Sequence, residues 1–331
     1  MNRITGKRVL VTGGAGFIGS NLCIDLVKEN DVVCLDSFIT GRRENIQSIK
    51  DNANFTLIEG DIRNEEDCRK ALESVDVVLH QAALGSVPRS IENPILTNSI
   101  NIDGFLMLLS LAQKMGIKRF VYAASSSTYG DHPSLPKIEE HIGKPLSPYA
   151  VTKYVNELYA KVFCDLHGME VIGLRYFNVF GRHQDPDGAY AAVIPKFIKA
   201  FLSGASPTLH GDGEQSRDFT YIENVIQANH LAGITNNEKA IGEVFNVAFG
   251  HRTTVNELIA ALKVNLSKMD SSISDIEIDY IAERQGDVKH SLASIEKGKS
   301  LLGYDPQYSI EKGLEEAINW YFEYFKNKVH G

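Results

Sequence analysis

Tyr149 and Lys153 stand four residues apart in Tyr149-Ala150-Val151-Thr152-Lys153, within a segment that reads as helix. That spacing sets both side chains on one helix face. An ammonium beside a phenol favours the phenolate and lowers its pKa, so Tyr149 is expected to serve as a base near neutral pH. The same pair also fits a solvated helix face, and the spacing alone does not choose. The choice comes from a glycine-rich turn near the start of the chain.

That turn is Val9-Leu10-Val11-Thr12-Gly13-Gly14-Ala15-Gly16-Phe17-Ile18-Gly19. An apolar run enters it, and an amphipathic segment carrying Leu22, Ile24, Leu26 and Val27 leaves it. Glycine is required where the backbone turns with positive φ or must approach a pyrophosphate without a Cβ in the way. The N–H groups and dipole of the following helix then hold the phosphates. A second apolar run, Asp31-Val32-Val33-Cys34-Leu35-Asp36, ends in an acid 20 residues after Gly16. A carboxylate there accepts hydrogen bonds from the adenosine ribose and selects NAD over NADP. Arg42 and Arg43 follow closely and keep a 2′-phosphate open as the minor alternative, although Asp36 would repel it.

Strand-like runs recur at 8–12, 31–36, 55–59, 75–80, 118–124 and 170–175, with helical patterns between them, clearest at 96–115 and 148–167. Such alternation predicts an α/β fold: a Rossmann-type doubly wound parallel sheet, ligands at the carboxyl ends of its strands, and a smaller C-terminal α/β substrate lobe. Residues 1–180 are expected to form the NAD-binding domain, with 220–250 returning to it, and 181–331 the substrate domain. Helices are expected near 191–203, 254–266 and 309–326, and a strand at Glu243–Ala248. Asp61, Gln81-Ala82-Ala83 and Ser125-Ser126-Ser127 follow strand ends and so face the cleft.

With 331 residues, two lobes and a cleft are expected. A net charge of −8 argues against nucleic acid as a partner. Cys23, Cys34, Cys68 and Cys164 are scattered without a CxxC pair, which points to a reducing, cytoplasmic setting with neither disulfides nor a metal. The apolar run Phe105-Leu106-Met107-Leu108-Leu109 is too short to span a bilayer, so no membrane association is expected.

The glycine turn, Asp36, Asp61-Ile62, the serine triplet, Tyr149/Lys153 and Arg175-Tyr176-Phe177-Asn178-Val179-Phe180-Gly181 together resemble the extended short-chain dehydrogenase/reductases that act on nucleotide sugars. The likeness runs nearly the full length. Within that group the chain is most similar to bacterial UDP-N-acetylglucosamine 4-epimerases of surface-polysaccharide pathways, on His80–Ser90, Ala123–Asp131, Gly143–Lys153 and Gly188–Pro195. The resemblance implies a catalytic trio of Tyr149, Lys153 and Ser125. Tyr149 takes the proton of the sugar 4-OH, C4 lends a hydride to tightly held NAD, and the 4-keto sugar turns and receives it on the other face. Lys153 binds the nicotinamide ribose, and Ser125 holds the 4-oxygen. NAD contacts are implied for Gly13, Gly16, Phe17, Ile18, Gly19, Asp36, Ser37, Phe38, Gly41, Asp61, Ile62, Gln81, Ala82, Ala83, Tyr149, Lys153 and Tyr176.

Related dehydratases carry Thr-Asp-Glu where this chain has Ser125-Ser126-Ser127, and hydroxyls cannot replace those carboxyl groups in elimination. Epimerisation at C4 needs none of them. The resemblance assigns the diphosphate to Arg217, Arg284 and Asn178, and the uridine side to Ala192, Val193, Thr208 and His210. Four residues after Asp287, Ser291 takes the place of a bulky Tyr found in relatives restricted to glucose and galactose, which leaves room for an N-acetyl group. Ser86, Ser126 and Ser127 could bond that acetamide. UDP-GlcNAc and UDP-GalNAc are the expected substrates. Their uronic acids (with Arg89 near the carboxylate), UDP-glucose/galactose, and an NAD-binding scaffold without activity are the alternatives. A homodimer is also implied, through helices at 96–115 and 148–167 bearing Leu106, Leu109, Leu158 and Val162, residues that equally fit packing onto the sheet.

Overall fold

The computed structural model describes residues 2–186, 192–283 and 289–329, with side chains through residue 325. The expectations attached to Arg284 and Asp287 lie outside the described residues. Seven strands form one sheet: β1 (Arg8–Thr12), β2 (Asp31–Asp36), β3 (Phe55–Glu59), β4 (Val77–His80), β5 (Arg119–Ser125), β6 (Glu170–Tyr176) and β7 (Val244–Val247). Their spatial order is β7-β6-β5-β4-β1-β2-β3, and every pairing is parallel. This is the Rossmann-type sheet the alternation predicts. Each interior strand is apolar on both sides because both faces are covered: Val9 and Val11 pack into one core, Leu10 into the other.

The strand order reverses at β1, whose neighbours are β2 and β4, and this opens a crevice at their carboxyl ends. Thr12 stands level with Leu35 and His80, so three strand ends converge there. The imidazole of His80 is buried and bonded to Thr12 Oγ1 at 2.8 Å. Burial holds its pKa down to about 3, so it is a neutral strut and not a base.

The helix Pro148–His167 starts at Ser147, whose Oγ accepts from Ala150 N at 3.1 Å, with Pro148 in the first turn. It stops at Gly168 in the left-handed conformation. One turn after Lys153, Glu157 makes a bidentate pair with Arg175 of β6 at 2.8 and 2.7 Å, both side chains buried. The helix that carries Tyr149 and Lys153 is thereby pinned to the sheet.

Some expectations need correction. The helix around 96–115 begins at Pro94 and contains a widened π-turn at Ser99–Gly104. Pro94–Lys114 spans 21 residues and is long and apolar enough to cross a membrane, unlike the short run read from the sequence. Half of it is buried, with Phe105, Leu108 and Leu109 packed against the sheet. Leu109 is therefore a core residue and Leu106 packs partly against the same core, whereas Leu158 and Val162 are exposed.

Candidate active site

A cleft of about 400 Å³ lies at the strand-order reversal. Gly13, Gly16, Phe17, Ile18, Gly19, Asp36, Ser37, Asp61, Ile62, Gln81, Ala82, Ala83, Ser125, Tyr149, Lys153, Tyr176 and Asn178 all line it. The glycine turn is too tight for side chains. Gly13 has φ +65°, and a Cβ there would sit 2.8 Å from the Ala82 backbone. A Cβ on Gly19 would sit 2.1 Å from Gly13 O. The helix Phe17–Leu26 that follows has no side-chain cap and no acid in its first turn, so its leading N–H groups suit phosphate oxygens. These residues fit a dinucleotide.

Asp36 Oδ2 accepts from Ala15 N and Oδ1 from Phe38 N, both at 2.8 Å, which fixes the carboxylate beside the turn. Phe38 and Gly41 do not line the cleft. Gly41 lies so close to Asp36 that a Cβ would stand 2.6 Å from Oδ1, and Phe38 carries the Arg43 guanidinium 4.1 Å over its ring. Arg43 also pairs with Glu59 at 2.6 Å and Arg42 with Asp185 at 2.5 Å, so both cations are engaged away from a 2′-phosphate. Asp61 is bound by Arg63, which holds its carboxyl below the usual value. Tyr176 OH, Gln81 and Asn229 bond one another in a closed triangle.

Lys153 is buried, and its Nζ donates to Ala123 O at 2.8 Å. Burial pushes it down to about 8, and the Glu157 carboxylate opposes the fall. Its ammonium stands 6.0 Å from the Tyr149 ring centroid. Burial raises the Tyr149 phenol above its ordinary value, while a hydrogen bond with Ser125 works against the rise. The lowering expected from Lys153 is thus not seen in the chain alone: burial outweighs the Ser125 hydrogen bond, and the ammonium gives its own hydrogen bond to Ala123 O. Ser125, at the end of β5, is nearly buried, and it accepts from Ser127 N at 3.2 Å and from Ser127 Oγ at 2.9 Å.

A second cavity of about 410 Å³ gathers Val193, Thr208, His210 and Arg217 with Lys196, Phe197 and Phe219. Arg217 donates to Ser216 O and Lys289 O, which orients its guanidinium. Asn178, on the wall of the first cavity, donates Nδ2 to Asp218 O at 3.1 Å, between Arg217 and Phe219 of the second. Ala192 is exposed just ahead of the helix Val193–Leu202. Among the described residues, Ser86, Ser126, Ser127 and Ser291 line neither cavity. Ser86 caps a short helix by accepting from Arg89 N, Ser127 bonds Ser125, and Ser291 N donates to Ser216 O.

Asn101 escaped sequence reasoning. From the π-turn its side chain bonds both N and O of Leu84 and Thr152 Oγ1, tying a cleft-wall residue to the helix Pro148–His167. No motif marks it, since the extra residue per turn breaks helical spacing.

A doubly wound sheet with a glycine cradle and a Tyr-Lys-Ser cluster at its switch point defines an NAD-dependent enzyme of the short-chain dehydrogenase/reductase type. Residues 9–248 match the NAD dependent epimerase/dehydratase family, and the chain belongs to it, with NAD as cofactor. It is similar to a UDP-N-acetylglucosamine 4-epimerase from Methanobrevibacter ruminantium, solved in complex with UDP-N-acetylmuramic acid: 40% identity, TM-score 0.91, covering 97% of this chain and 100% of that one. A putative UDP-glucose 4-epimerase of Methanocaldococcus jannaschii is 38% identical over 94% of this chain and 97% of its own length. The UDP-glucuronic acid 4-epimerase of Bacillus cereus, solved with UDP-glucuronic acid and NAD, is 33% identical with a TM-score of 0.86, covering 96% and 99%.

Proposed function

We propose that this chain is a UDP-sugar 4-epimerase that interconverts UDP-GlcNAc and UDP-GalNAc for surface-polysaccharide precursors. The observation that carries epimerisation is the cleft's chemistry. Tyr149, Lys153 and Ser125 line the cleft together, and the chain carries Ser126 and Ser127 where the dehydratases it resembles carry carboxyl groups. In this reading Tyr149 removes the 4-OH proton. Ser125, its lone pairs oriented by two donors from Ser127, donates its own proton toward the 4-oxygen. Lys153, anchored by Ala123 O, supplies fixed positive charge beneath the site. NAD held by the glycine turn, Asp36 and Lys153 would supply the hydride acceptor that C4 needs and the hydride donor for its return.

Support for the acetylated sugars comes from the likeness to the M. ruminantium enzyme. A uronic acid substrate is the second reading. It is favoured by Arg89, on the short helix that begins two residues after the cleft residue Gly85, and by the glucuronate relative. Proton NMR of UDP-GlcNAc, UDP-glucose and UDP-GlcNAc uronic acid, each incubated with enzyme and no added cofactor, separates them. Axial and equatorial H4 signals are expected to interconvert fastest with UDP-GlcNAc. Faster conversion of the uronic acid selects the second reading, and no conversion of any sugar removes both. We further read the exposed Leu158 and Val162 as part of a homodimer face. Sedimentation at micromolar concentration is expected to give a dimer, and a monomer contradicts it.

A further inference from the structure

We propose that Arg42 is a positioning residue that retains NAD by latching the loop beside the cleft to the far end of the chain. The inference rests on the cleft being the NAD site and not on which sugar is turned over. A 4-epimerase ends each cycle with the cofactor unchanged, so a cofactor lost in mid-cycle strands a ketone. Retention is therefore part of the reaction, and the chain needs a device for it.

The loop after β2 walls the cleft with Ser37, Ile39 and Thr40, and Ile39 is half exposed. Its near end is fixed by Asp36. Its far end is Arg42, whose N–H donates to Ala15 O of the glycine turn at 2.9 Å. The guanidinium then reaches outward: Nη2 meets Asp185 at 2.5 Å and Nη1 donates to Tyr324 OH at 2.9 Å. Those partners are themselves held. Ser20 Oγ and Asn21 Nδ2, on the helix that opens the glycine turn, bond His183 Nδ1 and Arg182 O at 2.9 and 3.0 Å. Tyr321 OH, on the same helix as Tyr324, donates to Gly181 O at 3.1 Å. One guanidinium thus closes a ring from the cleft loop, through the C-terminal helix and the 181–186 segment, back to the phosphate-binding helix. The loop cannot swing out unless the Arg42 guanidinium lets go of both side-chain partners and its N–H lets go of Ala15 O.

An isolated ion pair at this exposure is worth little, but a guanidinium shared between a carboxylate and a phenol on two anchored elements is worth more. Arg42→Ala is therefore expected to speed release of bound NAD by about tenfold. Release is read by diluting loaded protein and trapping the freed NAD with an auxiliary dehydrogenase. Apparent affinity for added NAD should fall by a similar factor, and NAD in excess should restore turnover lost on dilution. Arg42→Lys, which keeps the charge but not the fork, should fall between the two. A purely structural role would instead lower the melting temperature at saturating NAD, which is not expected. Acceleration below about threefold overturns the latch. Should Arg42→Ala not fold, Tyr324→Phe removes a single hydroxyl, and release at the parent's rate in that variant overturns the latch as well. A parent protein that holds no NAD would overturn the cofactor assignment itself, and that result appears before any substitution is made.

Discussion

Tyr149→Phe is expected to lower turnover by about a thousandfold while leaving binding of NAD and UDP-sugar within a few-fold of the parent, the size of effect a lost general base produces. The substitution deletes one oxygen. The ring stays in a cleft wall shared with Ser125 and Lys153, so shape is kept. The phenol has the harder task because burial raises its pKa in the chain alone. Among the described residues, its one lowering influence is the Ser125 hydrogen bond. Positive charge brought by oxidised NAD is what must bring Tyr149 into working range. Two linked results are expected in a spectroscopic titration: Tyr149 ionises above the ordinary tyrosine value in NAD-free protein, and lower once NAD is bound. Full turnover in the phenylalanine variant would remove Tyr149 from the mechanism.

The second large effect belongs to Gly19→Ala. Most glycine-to-alanine changes within a helix favour the helix. Here the new methyl carbon would sit 2.1 Å from Gly13 O and 2.8 Å from Gly14 Cα, and both are backbone atoms with no rotamer to escape by. The helix must back away from the turn, and the N–H groups that face the phosphates move with it. A cost of about 3 kcal/mol is expected from such overpacking, equivalent to roughly a hundredfold in NAD affinity. Gly85 provides the contrast. It lines the same cleft, but a Cβ there meets nothing within 4 Å, so Gly85→Ala is expected to bind NAD as the parent does. Calorimetric titration of NAD into the three proteins measures this. Equal affinities for Gly19→Ala and the parent would show that the close approach is not required.

Much of the site is legible in the sequence because its parts are local. The glycine turn, the acid after β2 and the Tyr149/Lys153 spacing each sit within a few dozen residues, and buried parallel strands announce themselves as continuous apolar runs. What escapes depends on distant contacts or on desolvation. Arg42 reads as a phosphate ligand until Asp185 and Tyr324, 143 and 282 residues away, are seen to hold it. Leu109 fits a dimer face and the sheet core equally in the sequence, because helical spacing does not say which side meets the sheet; the structure buries it. The Tyr149 phenol reads as lowered by Lys153 because spacing reports proximity but not burial or the competing bond to Ala123 O. Ser127 reads as a substrate contact, whereas its hydroxyl turns inward to orient Ser125.

Hydrogen that leaves C4 and returns to the same carbon is the heart of this account, and isotope labelling tests it without intermediaries. UDP-GlcNAc carrying deuterium at C4 should give UDP-GalNAc with the deuterium still at C4, in ordinary water and with no cofactor added. Deuterium washed out to solvent, with protium in its place, would contradict it.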